Sequence, residues 1–258
     1  MPGRLPDFFV VGANRAGTTS LYHHLRSHPE IFMCEPKEPS FFAFAGRERR
    51  DSRTWKTFAP HLVLDEHAYR ALFDAAGERL AGEASTAYLD SPVAPQRIRA
   101  AVPSARIVIS LRDPVECFVS RMRTLAAFNI RWKDLGRALA EFDAGAGEEF
   151  FYYRYHDAVK RYLELFTPGR VKIVLFDDFA DDPQRIVRDV YEFLGVDPDH
   201  RPQDLGTRFN HRPDRVEAGI TPAVLQHVVD RTADDTARLA ALIGRDLSHW
   251  TCLRGRLG

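Results

Sequence analysis

The chain has 258 residues, with 36 basic and 36 acidic side chains, 45% hydrophobic and 28% charged residues. This length suits one α/β domain over residues 1–258, and a formal net charge of zero excludes a global field that would recruit nucleic acid or an anionic membrane. Cys34, Cys117 and Cys252 are widely spaced with no Cys-x-x-Cys pair, against a disulfide framework or a zinc site, and no apolar run approaches the length of a membrane span, so the chain reads as cytoplasmic.

The first element is an apolar strand, Phe8 to Val11, which breaks into a loop bracketed by Gly12 and Gly17. Thr18-Thr19-Ser20 then open a helix predicted over Thr18 to Ser27. This is the layout of a phosphate cradle: glycines let the backbone N–H groups turn inward, and the helix presents its positive end to the same spot. The spacing matches a Walker loop, but Thr18 stands where the lysine belongs and Arg15 is the loop's one cation, which disfavours an ordinary ATPase. A glycine-rich turn with no ligand is the plain alternative.

Further strands are predicted near Leu80 to Glu83, at Arg106 to Leu111 and at Val171 to Phe176. Helices are predicted at Val93 to Ala101, Val115 to Ala127, Glu149 to Phe166 and Pro183 to Leu194, with Pro114 and Pro183 suited to first-turn positions. Such alternation implies a three-layer α/β fold, a mostly parallel central sheet with helices on both faces and ligands at the strands' carboxyl ends. Arg15 and Arg112 each follow a strand end, so they can converge on one crevice. Arg112-Asp113-Pro114 also reads simply as a turn in which Asp113 caps the next helix. Asp177 and Asp178, at another strand end, are the one pair that would tempt a magnesium assignment.

Four blocks carry a resemblance. Val11 to Phe42, with His28-Pro29 and Lys37-Glu38-Pro39-Ser40-Phe41-Phe42, resembles the donor-binding opening of sulfotransferases that use 3'-phosphoadenosine 5'-phosphosulfate (PAPS). Gly82 to Ile98, Ala105 to Met122 and Arg154 to Val196 are similar to later blocks of that family, in its order. The resemblance runs from Asp7 to near Trp250 and implies a P-loop NTPase-like sulfotransferase fold. It also implies in-line transfer of a sulfuryl group to a hydroxyl of a small-molecule or saccharide acceptor, without a metal.

Under that resemblance the 5'-phosphosulfate is held by Arg15, by the N–H groups of Ala16, Gly17, Thr18, Thr19 and Ser20, and by the threonine hydroxyls. Arg15 stands where many relatives carry lysine; a guanidinium does not give up its proton, so its help is electrostatic. Arg112 and Ser120 match the 3'-phosphate signature, and Gly206 to Val216 resembles the loop that completes that pocket, with Arg208, Asn210 and Arg212 as candidates. Glu38 occupies the position of the catalytic glutamate of carbohydrate sulfotransferases, with Phe41 and Phe42 placed to keep it partly dry. The alternatives are a surface carboxylate paired with Lys37, or a base drawn from His61, His67, His156 or His211, while His23 and His24 read as core packing.

Heparan-type enzymes carry a lysine after the glutamate of the second block, where this chain has Ala84 after Glu83. That departure favours a hydroxylated small molecule, glycolipid or short saccharide over a sulfated polysaccharide, and Phe44, Trp55, Phe58 and Phe150 to Tyr153 are available to wall an apolar pocket. Two rival functions are a P-loop kinase or hydrolase, which lacks its lysine, and a non-catalytic nucleotide-binding module.

Overall fold

Five short runs form the sheet of the computed structural model: β1 (Phe8–Val10), β2 (Ile31–Met33), β3 (Leu80–Ala84), β4 (Arg106–Leu111) and β5 (Val171–Leu175). Their order is β2-β3-β1-β4-β5, and every pairing is parallel. The structure describes residues 3–46, 61–127, 154–207 and 220–252. The chain divides into two compact units, Met1–Leu111 with Arg161–Asn210, and Arg112–Lys160 with His211–Gly258.

The first unit contains the sheet, α1 (Thr18–Arg26), α2 (Phe41–Phe44), α3 (Glu66–Ala71), α4 (Ala87–Asp90) and α5 (Ala94–Ala101). In the second lies α6 (Pro114–Ala127), and α7 (His156–Leu165) runs from the second unit into the first. The first unit resumes with α8 (Phe176–Asp181) and α9 (Pro183–Leu194), and the second with α10 (Pro222–Ile243).

Strands buried on both faces read as near-continuous apolar runs, and β1 and β4 do so here. On one face Phe8, Val10, Val108 and Val174 pack with Leu21 and Leu25 of α1 and Ile186, Val190 and Leu194 of α9. On the other, the Phe9 ring meets Phe42 of α2 at 5.7 Å and Tyr88 of α4 at 6.3 Å. The expected three layers follow. Phe8 pairs with Gly82 across β1 and β3, and its ring covers the glycine so closely that a Cβ there would lie 2.1 Å from Cζ.

Strand β2 was not legible from sequence: three residues after a His-Pro pair carry too little pattern. Helix α7 was expected to begin at Glu149 but is seen from His156, and residues 149–153 lie outside the described residues. The carboxylate of Asp235, on α10, accepts the N–H groups of Tyr155 (2.6 Å) and His156 (3.2 Å), satisfying donors that a helix start leaves open. Helix α10 packs on α6, and Trp250 is buried near the Tyr155 ring.

Candidate active site

The glycine loop is held from both sides. Val11 N–H donates to the Val108 carbonyl at 3.0 Å and Ser110 N–H to the Gly12 carbonyl at 2.7 Å, so the end of β4 continues the ladder into the loop. From β3 and α4, Ser85 N–H reaches the Val10 carbonyl (3.0 Å) and Leu89 N–H the Val11 carbonyl (2.8 Å). Gly12 has φ 147°, and a Cβ there would lie 2.7 Å from Leu89 Cβ and 3.2 Å from the Thr86 carbonyl oxygen. Gly17 caps α1 with φ 79°, and a Cβ there would strike the Phe176 ring at 2.8 Å. Both positions require glycine.

The N-cap of α1 is Gly17, which has no side chain to offer, and a helix's first N–H groups have no acceptor within the helix. Its positive end therefore opens on the loop, as an anion site requires. Arg15, Ala16, Gly17, Thr18, Thr19 and Ser20 all fall on this loop and first turn, with Thr18 buried and Arg15 half-buried. Arg15 sits in the left-handed region at φ 71°.

Glu38 comes to the same place by another route. Its N–H donates to the Ala84 carbonyl at 3.0 Å, which fastens it to the end of β3. Its Oε2 accepts from Thr86 N–H at 2.7 Å and Thr86 Oγ1 at 3.2 Å, and the Lys37 ammonium pairs with Oε1. Thr86 thus touches the carboxylate and lies against Gly12, bringing the glycine loop and Glu38 together. The expected pairing with Lys37 forms, yet the Glu38 side chain remains 32% exposed. Phe41 and Phe42 are core residues: Phe41 stacks on Tyr69 at 4.4 Å, and Phe42 meets Phe9 and Tyr88. What fixes the carboxylate is Thr86 and Lys37.

Sequence reasoning used Glu83 only as a landmark, and the structure gives it more. It is 0% exposed; its Oε1 accepts from the Tyr69 and Tyr88 hydroxyls, the latter at 2.8 Å, and its Oε2 from Ser85 Oγ at 2.8 Å. Burial pushes its carboxyl up to about 7, against the pull of those three hydrogen bonds. The available signal was an acid inside a parallel strand otherwise made of small apolar residues.

In the second unit, the Arg112 guanidinium pairs with Glu116 at 3.1 Å, and its carbonyl accepts from the Tyr155 hydroxyl at 3.0 Å. Asp113 Oδ1 accepts Val115 N–H at 2.8 Å, so Asp113 does cap the turn while Arg112 occupies the strand-end position. Ser120 lies half-buried on α6, its carbonyl accepting from Thr124 Oγ1. Arg208, Asn210 and Arg212 lie outside the described residues, as do Trp55, Phe58 and His211.

His24 is buried beside the Phe179 ring, as a core histidine should be, whereas His23 is only half-buried. Of the other candidate bases, His67 is exposed and His156 pairs with Asp157 at 2.6 Å. Asp177 and Asp178 fall in the first turn of α8, where acidic side chains suit the helix dipole. Among the described residues no group of three or more His, Cys, Asp or Glu is arranged to hold a metal, and no helix is long and apolar enough to cross a membrane.

A parallel sheet in this order, with a glycine-bracketed loop between β1 and α1, defines the P-loop-like α/β class. The chain belongs to the sulfotransferase family, whose sequence pattern matches residues 6–200. A crystal structure of a sulfotransferase from Alicyclobacillus acidocaldarius is 35% identical with a TM-score of 0.82, covering 96% of this chain and 100% of that one. A mouse sulfotransferase solved in complex with PAP is 13% identical with a TM-score of 0.53, covering 98% of this chain and 86% of that one, a likeness of fold alone. The human bifunctional heparan sulfate N-deacetylase/N-sulfotransferase 3 is 27% identical over 223 residues, 81% of this chain but 24% of that protein. The chain spans about a quarter of that relative's length.

Proposed function

We propose that this protein moves the sulfuryl group of PAPS to a hydroxyl of a small-molecule or saccharide acceptor. The observation that carries the reading is Thr86, which joins the Glu38 carboxylate to the glycine loop at the N-terminus of α1, where the N-cap is Gly17. The phosphosulfate rests on the N–H groups of Ala16 to Ser20 with Arg15 beside it. The acceptor oxygen attacks sulfur and its proton passes to Glu38; the bond from sulfur to the bridging oxygen breaks, and its electron pair leaves with 3'-phosphoadenosine 5'-phosphate (PAP). Arg15 offsets the charge growing on that oxygen, a task for a fixed cation rather than a proton donor. Arg112 and Ser120 take the 3'-phosphate. Support for the donor comes from the family and from the PAP complex of the mouse sulfotransferase. The heparan relative points to saccharide acceptors, while Ala84 after Glu83 favours small ones.

Calorimetry tests the donor. PAP should bind far more tightly than AMP or ATP and without magnesium, and Arg112→Ala should weaken PAP by about 1.5–3 kcal/mol, the worth of a charge-assisted hydrogen bond. Equal affinity for PAP and AMP would remove the 3'-phosphate site and this reading of Arg112 and Ser120.

A further inference from the structure

The buried Glu83 cluster is not used in the transfer scheme, yet it meets the catalytic turn at two points. Ser85 Oγ donates to Glu83 Oε2 at 2.8 Å and accepts Ser40 N–H at 3.0 Å. The Tyr88 hydroxyl donates to Glu83 Oε1 at 2.8 Å and accepts Phe42 N–H at 3.3 Å. A hydroxyl has one proton. A carboxylate at Glu83 takes that proton from both groups and so leaves their lone pairs to accept the amides of Ser40 and Phe42. The turn being held needs such support, because Glu38 (φ 66°) and Ser40 (φ 53°) both lie in the left-handed region, where non-glycine residues are strained.

We propose that Glu83 is a positioning residue for Glu38, acting through the Ser85 and Tyr88 hydroxyls on the Ser40 and Phe42 amides that set the turn. The proposal rests on Glu38 being the base. Strand β3 makes the coupling direct, since the segment 83–86 also supplies the Ala84 carbonyl and the Thr86 N–H that fasten Glu38. Protonation of Glu83 would force one of its oxygens to donate, turning a hydroxyl that now donates to it into its acceptor. That hydroxyl's own proton would be left without its carboxylate partner, so that it competes with the amide for the oxygen. The groups facing Glu83 are Tyr69 from α3, Tyr88 from α4, Ser85, Cys34 beyond β2, Glu38, and Tyr162 from α7. Burial lifts the three tyrosines and Cys34 further above the neutral range and brings the Glu83 carboxyl up to about 7.

The test is single-turnover transfer from saturating radiolabelled PAPS to p-nitrophenol or a chito-oligosaccharide, whichever accepts faster, with PAP affinity measured in parallel. Wild type, Ser85→Ala, Glu83→Gln and Glu38→Gln are compared from pH 5.5 to 8.5. Ser85→Ala and Glu83→Gln should each slow transfer by about 10- to 100-fold, as a misplaced catalytic group does, with PAP affinity changed less than about twofold. Glu83→Gln should also lose the part of the wild-type pH profile that rises near 7. Should Glu83→Gln not fold, Ser85→Ala carries the test, because it removes a single hydroxyl. Ser85→Ala at the wild-type rate, or slow with PAP affinity weakened in step, would overturn the positioning role while Glu38→Gln remained slow. Glu38→Gln at the wild-type rate would overturn the base itself, and the proposal with it.

Discussion

Gly82→Ala puts a methyl group where the structure has no room. Its Cβ would lie 2.1, 2.3 and 2.5 Å from three atoms of the Phe8 ring, against the 3.4 Å or more of ordinary contact. Phe8 is fully buried among Val10, Leu21 and Ile31, so the ring has no free end to swing away and the two strands must part. Overpacking of this kind costs about 1–3 kcal/mol, and a clash with a buried ring belongs at the top of that range. Restricting the unfolded chain returns about 0.4–1 kcal/mol, since Gly82 is not in the left-handed region, which leaves a net loss of about 2 kcal/mol. Phe8→Leu removes the ring atoms that the new methyl group would strike and should relieve the clash. Urea unfolding of wild type, both single variants and the double variant should then show the double variant more stable than the sum of the singles predicts, by about 1–2 kcal/mol. Additivity within about 0.5 kcal/mol would refute the close approach of β1 and β3.

Glu38→Gln keeps the shape and, through its one amide oxygen, the Thr86 hydrogen bonds, but it loses the Lys37 pair and the base. Single-turnover transfer should therefore fall by about 10² to 10⁴ while PAP affinity survives; a wild-type rate would remove Glu38 as the base. Arg15→Ala should weaken both, because one cation meets the ground-state phosphosulfate and the developing charge, and an unchanged PAP affinity would remove Arg15 from the donor site. Folded Glu83 holds its proton up to about 7, whereas the ordinary side chain releases it near 4.5. The native state therefore binds more protons between these values, and Glu83 makes stability fall as pH rises through that window, by at most about 3 kcal/mol. Glu83→Gln lacks this dependence, so chemical denaturation should show its stability relative to wild type improving from pH 5 to 8; a constant difference would mean that Glu83 ionises normally.

Local signals explain which parts of this molecule were legible. Helix α9 was read to the residue because Asp182 accepts Arg185 N–H as its N-cap, Pro183 fills the first position and Gly195 closes it in the left-handed conformation. The loop from Gly12 to Ser20 was legible for the same reason, since its glycines answer to backbone geometry. Helix α10 was missed although Thr221, Pro222 and Gly244 mark its ends. Its buried stripe passes through Thr232 and Thr236, polar residues that interrupt the apolar pattern, and the Thr232 hydroxyl is satisfied inside the helix on the Val228 carbonyl at 2.8 Å. The Glu83 cluster was beyond reach because it joins Ser40 and Ser85, 45 residues apart, through contacts that only the folded sheet creates.

The left-handed backbone at Arg15, Glu38 and Ser40 has a consequence for protein engineering. Each of these residues is less comfortable there than glycine or asparagine, by about 1–2 kcal/mol for an ordinary side chain. A screen for thermostability alone would be drawn to these three positions, and at Arg15 and Glu38 it would trade away the cation and the carboxylate. Under the proposed transfer scheme heat resistance and turnover therefore compete at the same few bonds of the main chain, and stabilising changes are better sought at sites such as the solvent-facing side of α9.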